Sequence, residues 1–125
     1  MKNKIVSYKD LIVWQKSMDL VTKIYFLTEK FPKTELYGIV SQMRRCAISI
    51  PSNIAEGKQR GTKKDYRHFL IMAFGSGAEL ETQLEISRRL NFSKEEECIP
   101  IFALLNEIVR MLNKLISTLK ENNSA

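Results

Sequence analysis

The residues that could support chemistry are few in this chain, and most of their spacings argue against a catalytic centre. His68 is the only histidine, and Cys46 and Cys98 are the only cysteines. One imidazole cannot build a histidine dyad or a multi-histidine metal centre, and positions 46, 68 and 98 do not follow metal-ligand spacing. Glu79, Glu81 and Glu85 could pair as acid and base. Glu81 and Glu85, however, stand four residues apart with Arg88 and Arg89 within reach, as on a solvated helix face. Gly75-Ser-Gly77 lacks the strand-to-helix setting of a phosphate loop or a nucleophile elbow, so close helix packing is the expected reason for its glycines. The chain therefore reads as a non-enzyme, with no catalytic residue, cofactor or metal assigned.

Charge carries the functional signal. The 20 lysines and arginines exceed the 14 acids by six, and the excess is uneven. Residues 41–68 hold Arg44, Arg45, Lys58, Arg60, Lys63, Lys64 and Arg67 against Glu56 and Asp65, while residues from 69 onward are slightly acidic. A molecule polarised in this way either presents a cationic face to an anion or mates its opposite faces in an oligomer.

Lys63, Lys64 and Arg67 fall in the first turns of an expected helix, where the macrodipole is already positive, so each costs a few tenths of a kcal/mol. Cations beside free N–H groups at a helix N-terminus are what a phosphate site requires, and Lys58 and Arg60 arrive from the preceding turn. A solvated charge run, partly offset by Asp65, accounts for the same residues equally well. Arg44 and Arg45 complete the candidate nucleic-acid-binding set, but as neighbours they point about 100° apart and cannot face one partner. One of them is expected to pair with Glu56, Glu79 or Glu35, within or between subunits. Binding through this set would be phosphate-directed with little base readout, because there is no recognition-helix motif and Tyr66 and Phe69 read as core.

The elements that must position these groups are helices. Leu36, Val40, Met43, Ala47, Ile50 and Ile54 recur at a four-three spacing that only a helix places on one face. The same reading gives helices at about 8–31, 35–59, 63–90 and 94–120. Capping boxes are expected at Ser7 with Asp10, Thr62 with Asp65 and Ser93 with Glu96. The first helix carries two apolar stripes, Leu11-Trp14-Met18-Val21-Tyr25 and Val13-Leu20-Ile24-Leu27-Phe31, a face wide enough for more than one neighbour. Pro51 removes a ladder hydrogen bond and predicts a kink in helix two, Gly61 a left-handed cap after it, and Pro100 a bend early in helix four. The tail from Glu121 should fray. Short connections make this an all-α, up-down-up-down antiparallel four-helix bundle, one domain over 1–125. Both cysteines sit in apolar helical patterns and should be buried free thiols of a reducing compartment. No run approaches the roughly 18 apolar residues of a membrane span, and residues 1–10 lack a signal peptide's apolar centre, so a cytoplasmic protein is expected.

Five blocks carry a resemblance: Phe31-Pro-Lys-Thr-Glu-Leu-Tyr-Gly38, Ser41-Gln-Met-Arg-Arg45, Ser49-Ile-Pro-Ser-Asn-Ile-Ala-Glu-Gly57, Phe69-Leu70 and Gly75-Ser-Gly-Ala-Glu-Leu-Glu81. Together they resemble the signature of the four-helix-bundle proteins encoded in bacterial 23S ribosomal RNA intervening sequences, and the likeness runs from Leu11-Ile-Val-Trp14 into helix four. Members also occur away from ribosomal RNA genes, and a related bundle is the accessory protein of diversity-generating retroelements. The resemblance implies a cytoplasmic, ring-like homopentamer with a nucleic-acid role and no catalytic residues to carry over. The expected partners are thus the chain itself, RNA or DNA, and a protein such as a reverse transcriptase. An assembly scaffold that binds no nucleic acid is the alternative.

Overall fold

The computed structural model describes residues 7–120, all of whose regular elements are helical. Four long helices, α1 (Ile12–Glu29), α2 (Ser41–Arg60), α3 (Lys63–Arg89) and α4 (Glu95–Thr118), pack each against the next, and α4 closes on α1. This is the expected four-helix bundle. The seam read in helix two is buried from Val40 to Ile54, while Leu36 at its start is exposed. The stripe from Val13 through Leu27 on α1 is buried, as is Phe31 just beyond it, whereas Met18 and Tyr25 of the other stripe remain exposed.

The expected boundaries shift where the chain turns. Ser7 and Asp10 do form a capping box, but it closes only a single 3-10 turn, Tyr8–Asp10. Leu11 then becomes extended (ψ 126°) and buries its side chain, so the continuous helix starts at Ile12. Helix two was expected from about 35. The chain instead makes a 3-10 turn at Lys33–Glu35 and a wide π-type turn at Leu36–Val40, where Gly38 leaves helical geometry (φ −111°, ψ −116°), and the regular helix begins at Ser41. Pro51 lies buried inside α2 without ending it, and the Asn53 amide donates to the Ser49 carbonyl at 2.7 Å in the adjoining turn.

Gly61 takes the expected left-handed conformation (φ +85°) and ends α2. The Thr62 hydroxyl then accepts from the Asp65 N–H at 3.1 Å and starts α3. The two mid-helix glycines of α3 part company. A Cβ at Gly77 would lie 2.9 Å from a Val109 methyl, as close packing requires, but one at Gly75 would meet nothing within 4 Å, so packing within the chain does not explain Gly75. The tightest approach is at Gly57, where a Cβ would stand 2.7 Å from Phe69 Cβ and 3.2 Å from the Tyr66 carbonyl oxygen. In α4 the cap is Glu97 rather than Glu96. After Asn91 turns left-handed (φ 60°) the helix starts at Glu95, which brings the Glu97 carboxylate to the Lys94 N–H at 3.1 Å, while the Ser93 hydroxyl rests 3.0 Å from Cys98 Sγ. Pro100 lies within α4, and the tail from Glu121 lies outside the described residues.

Candidate nucleic-acid interface

Five of the seven candidate cations meet where α2 hands over to α3. The tight Gly61-Thr62 link folds the last turn of α2 back on the first turns of α3, placing Lys58 and Arg60 beside Lys63, Lys64 and Arg67. Their environments differ. Lys63 and Lys64 are exposed and make no ion pair with the described residues. Lys58 Nζ sits 5.4 Å from the centre of the Tyr66 ring, a distance at which the ring's negative face attracts the ammonium. Arg60 is partly spent: Glu56, one turn back, pairs with it at 3.0 Å, and its guanidinium lies 5.1 Å from the centre of the Phe69 ring. Arg67 donates through Nε to the Ile116 carbonyl at 3.2 Å, tying α3 to the last turns of α4. Lys64, Arg67, His68, Ile71 and Leu119 border a small cleft of about 230 Å³ there.

Tyr66 is half-buried and packs against the core as read from the sequence, and Phe69 is half-buried. Gly57, with no side chain, lets α2 lie close against the Tyr66 backbone and Phe69 Cβ, and Lys58 and Arg60 of the same turn reach the two rings. Burial also raises the Tyr66 phenol above its ordinary pKa, so it stays neutral and serves as a ring surface and hydroxyl.

Arg44 and Arg45 are not brought to this corner. Some 16 residues separate Arg44 from Arg60 along α2, about 24 Å of helix. Among the described residues the salt bridge expected for one of them does not form. Arg44 Nε donates instead to the Thr28 hydroxyl at 3.0 Å, and its guanidinium lies 4.5 Å from the centre of the Tyr25 ring. Glu56 is taken by Arg60 through helical proximity, and Glu79 turns toward Cys46. Arg45 is exposed. Both arginines line a separate shallow groove of about 460 Å³ with Tyr25, Leu36, Tyr37 and Ile48. Tyr37, 94% exposed, was not singled out as a site residue: it fell within the expected helix two, from about 35, and entered the sequence reading only as part of the Phe31–Gly38 block.

The other reactive groups are quiet. Cys46 and Cys98 are buried free thiols. Burial, reinforced by the charge of Glu79, pushes the Cys46 thiol up to about 12. Glu85 accepts from Arg88 at 2.7 Å and from Arg89 at 2.9 Å, and these hydrogen bonds hold its carboxyl down at about 2. This is the ion-paired helix face read from the sequence. Among the described residues no three His, Cys, Asp or Glu side chains gather as a metal site needs, and no helix is long and apolar enough to cross a membrane.

The profile of the family described as 23S rRNA-intervening sequence protein matches residues 9–114. A crystal structure from Bacteroides thetaiotaomicron, described as a protein with unknown function from the S23 ribosomal protein family, is similar at 25% identity with a TM-score of 0.76, covering 84% of this chain and 98% of that one. No curated protein matches the sequence.

Proposed function

The chain belongs to the 23S rRNA-intervening sequence protein family, and from that premise we propose that it is a cytoplasmic, homo-oligomeric accessory protein that binds RNA or DNA through phosphate contacts at the α2–α3 corner. One observation carries the reading. Lys63 and Lys64 stand exposed and, among the described residues, without an ion pair in the first turn of α3, where the macrodipole works against them, so they add nothing to the stability of the helix they occupy. Lys58 and Arg67 flank them: the Lys58 ammonium rests near the Tyr66 ring and Arg67 gives its Nε to the Ile116 carbonyl, and among the described residues neither cation is taken by a carboxylate. Contacts of this type read the backbone and not the sequence. In a ring of copies, five by analogy with the family, weak corners would combine by effective concentration into useful avidity for a long or folded strand.

The test is gel retardation of a structured RNA and of a DNA of equal length by the parent and by the Lys63→Glu, Lys64→Glu double variant, with oligomeric mass measured by light scattering. The double variant should keep the parent's mass and lose retardation. A variant that keeps its mass and retards as well as the parent would refute the corner.

A second reading has its own observation. Phe26, Tyr37, Leu90 and Ile99 each expose more than half of their surface, apolar area that a partner would cover. On that reading the protein is an assembly scaffold, for itself and for a protein such as a reverse transcriptase. Its contacts would then survive salt that abolishes phosphate binding.

A further inference from the structure

The groove at the far end of α2 carries chemistry that the phosphate-binding corner lacks. Tyr37 projects from the irregular turn at Leu36–Val40 with 94% of its surface open, so its ring has faces available to a planar ligand. In the same lining the Arg44 guanidinium lies 4.5 Å from the centre of the Tyr25 ring and donates to the Thr28 hydroxyl and the Tyr25 carbonyl oxygen, and among the described residues no carboxylate pairs with it. Arg45 is exposed and also without an ion pair among the described residues. No acid lines the groove; Glu35 lies near, against Gly38, but outside the lining.

We infer that this groove is a second nucleic-acid site, which takes unpaired nucleotides: a base stacks on Tyr37 and the flanking phosphates meet Arg44 and Arg45. A bare aromatic beside guanidinium groups, with no acid in the lining, is the combination that single strands use, because every base has a face to stack and every linkage a negative charge. A duplex keeps its bases stacked on one another and cannot use Tyr37 in this way. The groove therefore selects unpaired segments, while the α2–α3 corner, some 24 Å along the same helix, holds phosphates of any strand. The inference rests on the reading that the protein binds nucleic acid, and the test separates the two.

The probes are a 20-nucleotide single-stranded RNA, a single-stranded DNA of the same sequence and the matching blunt DNA duplex, titrated by fluorescence anisotropy against the parent, Tyr37→Ala and Tyr37→Phe. Tyr37 is so exposed that neither substitution touches the core. Tyr37→Ala should weaken at least one single strand roughly 5- to 100-fold, Tyr37→Phe should retain the parent's affinity, and the duplex should change less than about twofold. Comparing the two single strands tells whether the ligand is RNA, DNA or either. A 4-thiouridine RNA photo-crosslinked to the parent should map by mass spectrometry to Tyr37 or its immediate neighbours. If the parent binds single strands and Tyr37→Ala binds them equally well, the groove is not a nucleotide site although the corner stands. If Tyr37→Ala changes the oligomeric mass while binding persists, the groove is a contact between copies and the inference fails. If the parent binds none of the probes, the proposed function itself falls.

Discussion

Replacing Gly57 and Gly75 separately by alanine should move stability in opposite directions, although both are α-helical glycines gaining one methyl group. At Gly75 the methyl enters open space, so only the backbone effect remains: alanine restricts the unfolded chain and stabilises by about 0.5–1 kcal/mol. At Gly57 the same gain is opposed by contact with Phe69 Cβ at 2.7 Å and with Tyr66 carbonyl oxygen and Cα at 3.2 and 3.3 Å. These atoms are backbone or directly attached to it, so no rotamer change relieves them and α2 must move away from α3. Overpacking costs about 1–3 kcal/mol, and a clash that only a backbone shift relieves belongs to the upper part of that range, about 2–3 kcal/mol, leaving a net loss of about 1–2.5 kcal/mol. At roughly 4 °C per kcal/mol for a chain of this size, thermal unfolding followed by far-UV circular dichroism should show Gly57→Ala melting about 4–10 °C below the parent and Gly75→Ala about 2–4 °C above it. A Gly57→Ala protein as stable as the parent would show that the α2–α3 contact is looser than described. A Gly75→Ala protein that is less stable, and whose deficit grows with protein concentration, would show that another copy covers the open space.

Gln83 buries its amide oxygen with no hydrogen-bond partner, so Gln83→Leu should raise stability in urea unfolding by about 1 kcal/mol, and a loss of that size would mean that the oxygen is satisfied. The Glu85 carboxyl is held at about 2 against an ordinary 4.5, so its contribution is present above 4.5 and is lost as the pH falls through 2. Melting curves of Glu85→Gln should accordingly lie slightly below the parent at neutral pH and converge with it towards pH 2, and a gap that widened on acidification would contradict the pairing. Cys46 is buried and its thiol lies near 12, so a thiol-specific reagent at pH 8 should label it only on unfolding in guanidinium, whereas prompt labelling of the native protein would place it at the surface.

Helix periodicity made the bundle legible because burial imposes the same constraint all along a seam: Val40, Met43, Ala47, Ile50 and Ile54 could not share a face in any other regular structure. Caps and turns were less legible. Glu96 and Glu97 are adjacent carboxylates, and which of them caps α4 depends on where the Asn91 turn releases the chain, which no local pattern records. The break at Gly38 was hidden by an apolar spacing that continues across it, since Leu36 keeps its place in the repeat and loses only its burial. The candidate site divided in the same way. The gathering of Lys58, Arg60, Lys63, Lys64 and Arg67 follows from short sequence separation across one tight turn. That Arg67 reaches Ile116, that Arg44 settles on Tyr25 and Thr28, and that Gly57 rather than Gly75 is the close approach are contacts between distant parts of the chain, and these only the packed structure supplies.

The central claim is that the α2–α3 corner holds phosphates, and its most direct test is the salt dependence of RNA binding by the parent protein. Arg60 is neutralised by Glu56, which leaves Lys58, Lys63, Lys64 and Arg67 to displace counterions. With about four phosphates neutralised, the logarithm of the association constant should fall against the logarithm of salt with a slope near −3 per corner, roughly 50- to 150-fold in affinity between 50 and 200 mM. Lys63→Gln with Lys64→Gln should flatten that slope by about 1.5. A parent slope near zero, or one that the double variant leaves unchanged, would contradict the account.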